Sequence, residues 1–264
     1  MSEKNLNETS KEEQKVSEQN QRKKKKFKIK YILLSVLLII ILIITWLFFS
    51  LFLIKPKNLG ISYTYEDYIN AIEKTGMQIS FDGLTDEDLE EYKKNSSKKN
   101  IHDFNWEFSD YKEKSFTLTN EEATALLNNI APGFWWFENL QVKVDSNGVM
   151  QGSSRADISR LKRDLYSDVA NDIPIPLPNS VNIYSEGKIE INNNKLTGTP
   201  ESFYVGAIPL PNNLMTQESI SVMEDYFPRI YTIVPGLEIN RLSTENGEFV
   251  FEGIIPQTIT VTPK

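Results

Sequence analysis

Cysteine is absent from this 264-residue chain, and histidine occurs once. The first absence excludes disulfides, thiolate nucleophiles and the cysteine-based zinc sites. A folded domain outside a cell would then rest on its core alone, which fits a Gram-positive type of cell surface better than an animal secretory pathway. The second absence leaves His102 as the sole imidazole for any Ser-His-Asp system, and it lies in the polar stretch of residues 98–103, where a loop histidine needs no chemistry. Charge is missing altogether from residues 31–54, a run of Leu and Ile with Val, Phe and one Trp. As a helix rising ~1.5 Å per residue, that run is about 36 Å long, enough for a hydrocarbon core of about 30 Å. Ser35, Thr45 and Ser50 within it can return their hydroxyls to the helix's own carbonyls.

Acidic residues are missing from 21–30, where Arg22, Lys23, Lys24, Lys25, Lys26, Lys28 and Lys30 stand, while only Lys55 and Lys57 follow the run closely. The positive-inside rule places the N-terminus in the cytoplasm and the C-terminal portion outside. A cleaved signal peptide fits less well, because its apolar core spans roughly 7–15 residues and residues 53–56 offer no small-x-small site. The expected organisation is a disordered basic cytoplasmic tail over 1–30, a single-pass transmembrane signal-anchor over 31–54, a linker and small helical adaptor over 55–114, and an extracytoplasmic α+β domain over 115–264. From residue 58 onward there are 17 basic against 31 acidic side chains, a net charge of −14. That surface repels nucleic acid, so the expected partners are the bilayer itself through 31–54, a lipid ligand, or an envelope protein.

Beyond the anchor, three threonines open helices in the same way: Thr64 with Asp67, Thr85 with Asp88 and Thr119 with Glu122. In each, the hydroxyl can accept from the backbone three residues on, and the acid there can reach back. The spacing predicts helices over 65–74 (ended by Gly76), after Thr85, over 121–130, over 158–170 and over 216–227. Period-two alternation predicts a hairpin from 140–145 and 149–156 about Ser146-Asn147-Gly148. It also predicts strands at 181–184 and 188–191 with Ser185-Glu186-Gly187 between them, and a turn at 192–194 into 195–199 and 202–207. Last come 237–242, a turn at Asn246-Gly247, 248–253 and 258–262. Prolines at 174, 176 and 178 forbid a helix there and leave an extended crossover. The order predicts α+β: a twisted antiparallel sheet packed on helices.

The capped Thr-x-x-Glu helix, the Val-x-Val hairpin with Asn-Gly, the extended proline runs, the strand pair about three asparagines, Val205-Gly206-Ala207-Ile208-Pro209-Leu210-Pro211, and the closing Asn246 to Gly253 strand together resemble bacterial membrane-anchored proteins of the tubular lipid-binding (TULIP) type, the YpmS-like group, over roughly residues 115–262. The resemblance implies a long twisted sheet wrapped against a helix around an apolar groove for an acyl chain. It carries over no ligand residue, and residues 61–114 depart from its pattern.

The candidate ligand-binding residues are Phe134, Trp135, Trp136 and Phe137, four adjacent aromatics where a helix ends. One face of one element cannot bury them all, so they form either a pocket rim touching lipid or an aromatic plug closing the core. Adjacent acids (Glu90 with Glu91, Glu121 with Glu122, Glu224 with Asp225) sit at capped helix starts or on solvated faces. The cluster Asp82, Asp86, Asp88 and Glu91 lacks the order of a calcium loop. No enzyme, metal site or cofactor is expected. The expected function is a membrane-anchored extracytoplasmic binding protein for a lipid or lipid-linked envelope molecule, with a structural or interaction protein of the envelope as the alternative.

Overall fold

The computed structural model describes residues 35–47, 49, 55–83, 85, 104–129, 136–164, 178–211 and 234–264. The chain forms two units, Met1–Phe49 and Ser50–Lys264. In the first, residues 35–47 are helical and exposed, and the Thr45 hydroxyl donates to the Ile41 carbonyl at 2.7 Å, as its place in an apolar run requires. No helix among the described residues is long and apolar enough to cross a membrane. Residues 31–34, 48 and 50–54 of the expected span, and the whole tail of residues 1–30, lie outside the described residues.

The second unit mixes α and β structure. Its elements are α1 (Tyr65–Thr75), β1 (Gln78–Phe81), β2 (Phe104–Leu118), α2 (Asn120–Asn129), β3 (Phe137–Val144), β4 (Met150–Asp157), α3 (Ile158–Asp164), β5 (Ser180–Asn192), β6 (Lys195–Val205), β7 (Ile208–Pro209), β8 (Glu238–Glu245) and β9 (Glu248–Pro263). All nine strands belong to one sheet. β9 is its spine. It pairs along one side with β2 from residue 249 to 263; on the other side it meets β8 near its start and β1 near its end. The β1–β9 pair is parallel, which departs from the antiparallel expectation; every other pair is antiparallel.

Residues 55–114, expected as a linker and small helical adaptor, contribute β1 and β2 to this sheet and Ala71, Met77 and Phe104 to the core. The reason is long-range pairing: Gln78 to Phe81 align with residues 258–261, some 180 positions away, which no local pattern announces. Two other expected breaks are absent. Ser185-Glu186-Gly187 does not separate two strands but runs inside β5. There the bare Cα of Gly187 lets β6 approach so closely that a Cβ would sit 2.6 Å from the Thr199 carbonyl oxygen. β9 likewise continues through 254–257, with Pro256 in the gap between its β8 and β1 partners. The expected helix over 158–170 is helical to Asp164; 165–170, like the expected helices after Thr85 and over 216–227, lie outside the described residues.

β5 joins the two halves of the sheet. β6 runs along one side of it; on the other side are β4 (residues 180–187) and then β8 (191 and 192). The three asparagines are the joint. Asn193 and Asn194 take the positive φ of a tight hairpin turn, 49° and 61°. Their N–H groups donate to Asn240 and Ile239 carbonyls at 2.9 and 2.8 Å, while Asn194 Oδ1 accepts from Ile239 N at 2.7 Å.

The core lies where α1 and α2 cover the face of β9 that carries Phe249, Ile255, Ile259 and Val261, with Phe104 and Leu118 of β2 beside them. Both helices begin in the capping boxes expected from sequence. Thr64 Oγ1 accepts from Asp67 N while Asp67 Oδ2 accepts from Thr64 N; Thr119 and Glu122 exchange the same pair. Gly76 ends α1 at φ 71°, its N–H donating to the Ile72 carbonyl at 2.8 Å. Glu122 also takes Lys74 Nζ at 2.5 Å, tying the end of α1 to the start of α2.

α2 does more than cover the core. Asn120, Thr124 and Asn128, one helical turn apart, each both donate to and accept from the outer backbone of β3, at Val144, Val142 and Leu140 in turn. Four helical residues rise about 6 Å and two strand residues about 6.7 Å, so the two ladders stay in step across three rungs. The helix thus stands in for a neighbouring strand and closes an edge that would otherwise expose unpaired amides.

Candidate functional site

Of the four aromatics expected to form a ligand site, Phe134 and Trp135 lie outside the described residues. Trp136 is 1% exposed, and its carbonyl accepts from Asp157 N at 2.7 Å. Its ring is inside the fold rather than on an outer rim. Phe137 is half-buried and opens β3 opposite Ala156.

A different set of side chains converges on β4, β5 and β6. Alternation along β5 puts Tyr184 and Glu186 on one face. Register then sets Gln151 and Ser202 on either side of Glu186, and Ser153 and Tyr204 on either side of Tyr184. The Glu186 carboxylate accepts from Tyr184 Oη at 2.8 Å, Gln151 Nε2 at 2.9 Å and Ser202 Oγ at 3.2 Å. The Tyr184 and Tyr204 rings lie 5.8 Å apart at 51°. Ser153, 1% exposed, has a hydroxyl with no hydrogen-bond partner among the described residues.

The segment that follows the apolar run is strapped onto this region. Lys57 Nζ stands 3.6 Å from the centroid of the Tyr184 ring. Two residues on, Leu59 is buried; its N–H donates to Gln141 Oε1 at 2.8 Å, and its carbonyl accepts from Lys143 Nζ at 3.4 Å. An exposed lysine over an aromatic face is held by the ring quadrupole, and more strongly as water is excluded.

The Tyr184 hydroxyl, the Gln151 amide, the Ser202 hydroxyl and the nearby Lys57 charge outweigh burial and hold Glu186 below the usual carboxylate range. Burial first, then the bond to Glu186, push the Tyr184 phenol well above its ordinary value. At neutral pH the carboxylate is charged and the phenol keeps its proton. A charged carboxylate beside an aromatic face suits the holding of a cation.

A pH dependence follows. Because the folded-state pKa of Glu186 lies below its unfolded value near 4.5, its contribution to stability is complete above that value. It is lost as pH falls through the folded pKa. The expected outcome is a melting-temperature advantage of the native chain over Glu186→Gln that is constant from pH 6 to 8, in keeping with that linkage, and shrinks below about pH 4.5.

The remaining candidates divide. Glu122 is engaged by Lys74 and its own cap, which removes it from any carboxylate pair with Glu121. His102, Glu90, Glu91, Glu224, Asp225, Asp86 and Asp88 lie outside the described residues. Among the described residues no cluster of three His, Cys, Asp or Glu side chains could hold a metal ion. The tyrosine and carboxylate two apart in β5 were visible in sequence as a same-face pair once residues 185–187 are read as strand. Nothing in the sequence placed Lys57 beside them, 127 positions away. Comparison of the chain with known protein families, with curated proteins and with solved structures gives no match in any of the three.

Proposed function

We propose that the chain is a membrane-anchored extracytoplasmic binding protein that holds a lipid or lipid-linked envelope molecule without altering it covalently. The observation that carries this reading is the strap: the residues directly after the 24-residue apolar run are fastened to a polar and aromatic face of the sheet, through Lys57 on Tyr184 and Leu59 on Gln141. A domain that works on membrane-derived molecules gains from such a short tether, because proximity raises the effective concentration of the ligand. The carboxylate of Glu186, held by three donors, and the retained Tyr184 proton support binding over chemistry. The tubular lipid-binding resemblance supplies the ligand class. The rival, docking of an envelope protein along a sheet edge, finds three poor edges among the described strands, and β1 at the end of the sheet is only four residues long. α2 occupies the β3 edge, β6 carries Gly198, Pro200 and a bulge, and β2 carries Asp110 at φ 55° with Lys112, Glu113 and Lys114 beside it.

Reconstitution of the full chain into vesicles with a photoactivatable phospholipid tests this. Labelled peptides from residues 104–264 are expected. Labelling confined to residues 31–54 overturns the reading, because lipid would then touch the anchor alone.

A further inference from the structure

We propose that the face of β4, β5 and β6 around Tyr184 and Glu186 is a binding site for a primary ammonium group, occupied in cis by Lys57. This deepens the function proposed above and depends on it only for where the ammonium comes from.

Three features define the chemistry. The Tyr184 side chain is 5% exposed in the strapped state, and Lys57 Nζ lies 3.6 Å from its ring centroid, well inside the distance at which a ring face attracts a cation. Beside the ring is an ionised carboxylate. Gln151 occupies Oε1 of Glu186, while Tyr184 and Ser202 share Oε2. A carboxylate has about four acceptor positions, so Oε1 keeps one for an N–H donor. The third feature is a second ring, Tyr204, whose centroid lies 5.8 Å from that of Tyr184 at an interplanar angle of 51°.

A ring face and a pre-oriented carboxylate beside it recognise an ammonium by cation–π attraction and charge, and the open position on Oε1 is available to an N–H donor. A bare metal ion would find too few oxygens here. The occupant is a side chain from the strap, which is held otherwise through Leu59, so an external ammonium competes with Lys57 for the same ring. Lys57 therefore acts as an internal competitor that lowers the apparent affinity of the site by the fraction of time the strap is closed.

The matching ligands are ethanolamine-type headgroups in a bilayer and free primary amines; the shared chemistry is the ammonium. Two measurements on the full chain separate them. First, free ethanolamine is titrated calorimetrically into the native chain, Lys57→Gln, and Lys57→Gln with Glu186→Gln, all in detergent micelles. Lys57→Gln should bind more tightly than the native chain by the inverse of the strap's open fraction, about tenfold for a strap open about a tenth of the time, and Glu186→Gln should abolish that binding. Second, trypsin cleavage after Lys57 in the native chain reports release of the strap. It should accelerate with ethanolamine over sodium at equal ionic strength, or in nanodiscs of phosphatidylethanolamine over phosphatidylglycerol. Acceleration by ethanolamine identifies a soluble amine as sufficient, and acceleration by the lipid alone identifies the headgroup. If neither alters cleavage and Lys57→Gln binds no ethanolamine, Lys57 is only a strap and the site does not exist. The trypsin measurement needs no variant, so a variant that fails to fold leaves the test intact. Lipid labelling of residues 104–264 would survive such a failure, which keeps the two proposals distinguishable.

Discussion

Replacing Trp136 with alanine lowers stability by about 3–5 kcal/mol, the range for emptying a large buried aromatic site. The indole is 1% exposed, and Asp157 N holds the residue's own carbonyl beside the end of β4, so the surrounding backbone cannot collapse readily into the space. For a domain of this size the loss corresponds to a fall in melting temperature of roughly 6–20 °C. Urea denaturation followed by tryptophan fluorescence and circular dichroism measures it. The same variant weighs the two roles open to the aromatic stretch. A residue of a lipid-facing rim would lose lipid labelling with little change in stability, whereas a plug loses stability first. A fall of less than about 1 kcal/mol, the level of a surface substitution, would return Trp136 to the rim.

The second large effect is expected at the junction of α2 and β3. Thr124 is 1% exposed and its hydroxyl serves both the N–H and the carbonyl of Val142, at 3.1 and 3.2 Å. Thr124→Val keeps the shape and removes both bonds. Two buried backbone groups are then left without partners, at a cost of about 1–3 kcal/mol each. Adding Asn120→Ala and Asn128→Ala strips all three rungs. The expected outcome is accelerated hydrogen exchange at the amides of Leu140, Val142 and Val144 before any change elsewhere in the sheet, together with concentration-dependent association as the β3 edge becomes available. Asn129→Ala, whose amide reaches only its own helix at Ala125, should stay within about 0.5 kcal/mol of the native chain. Equal losses in Asn129→Ala and Thr124→Val would mean that the ladder contributes nothing specific.

Local chemistry was readable along the chain wherever partners lie within a few positions. The Thr64 and Thr119 capping boxes, the Gly76 stop, the Asn246-Gly247 turn and the hairpin of β3 and β4 all form as their residues dictate. The longer strands were cut too short. Gly187 and Pro256 are breakers by type, but close contact with β6 and a gap between two partners make each acceptable within a strand. Asn120, Thr124 and Asn128 look in sequence like the wet stripe of an amphipathic helix. Polar side chains at helical spacing satisfy water and a strand edge equally well, and only the neighbour distinguishes the two.

Composition and order alone determined that disulfide and thiolate chemistry are excluded, that an uncharged 24-residue run follows a basic cluster, that the rest of the chain is strongly acidic, and where helices start and tight turns fall. Each of these depends on residue type or on partners one turn away. Tertiary structure decided which distant strands meet, that residues 78–81 lie parallel to 258–261, that Trp136 is interior, and that Lys57 sits on Tyr184. Contacts of that kind are made between surfaces whose alignment depends on the whole sheet, and a strand's pattern of faces specifies what it buries without naming the strand beside it.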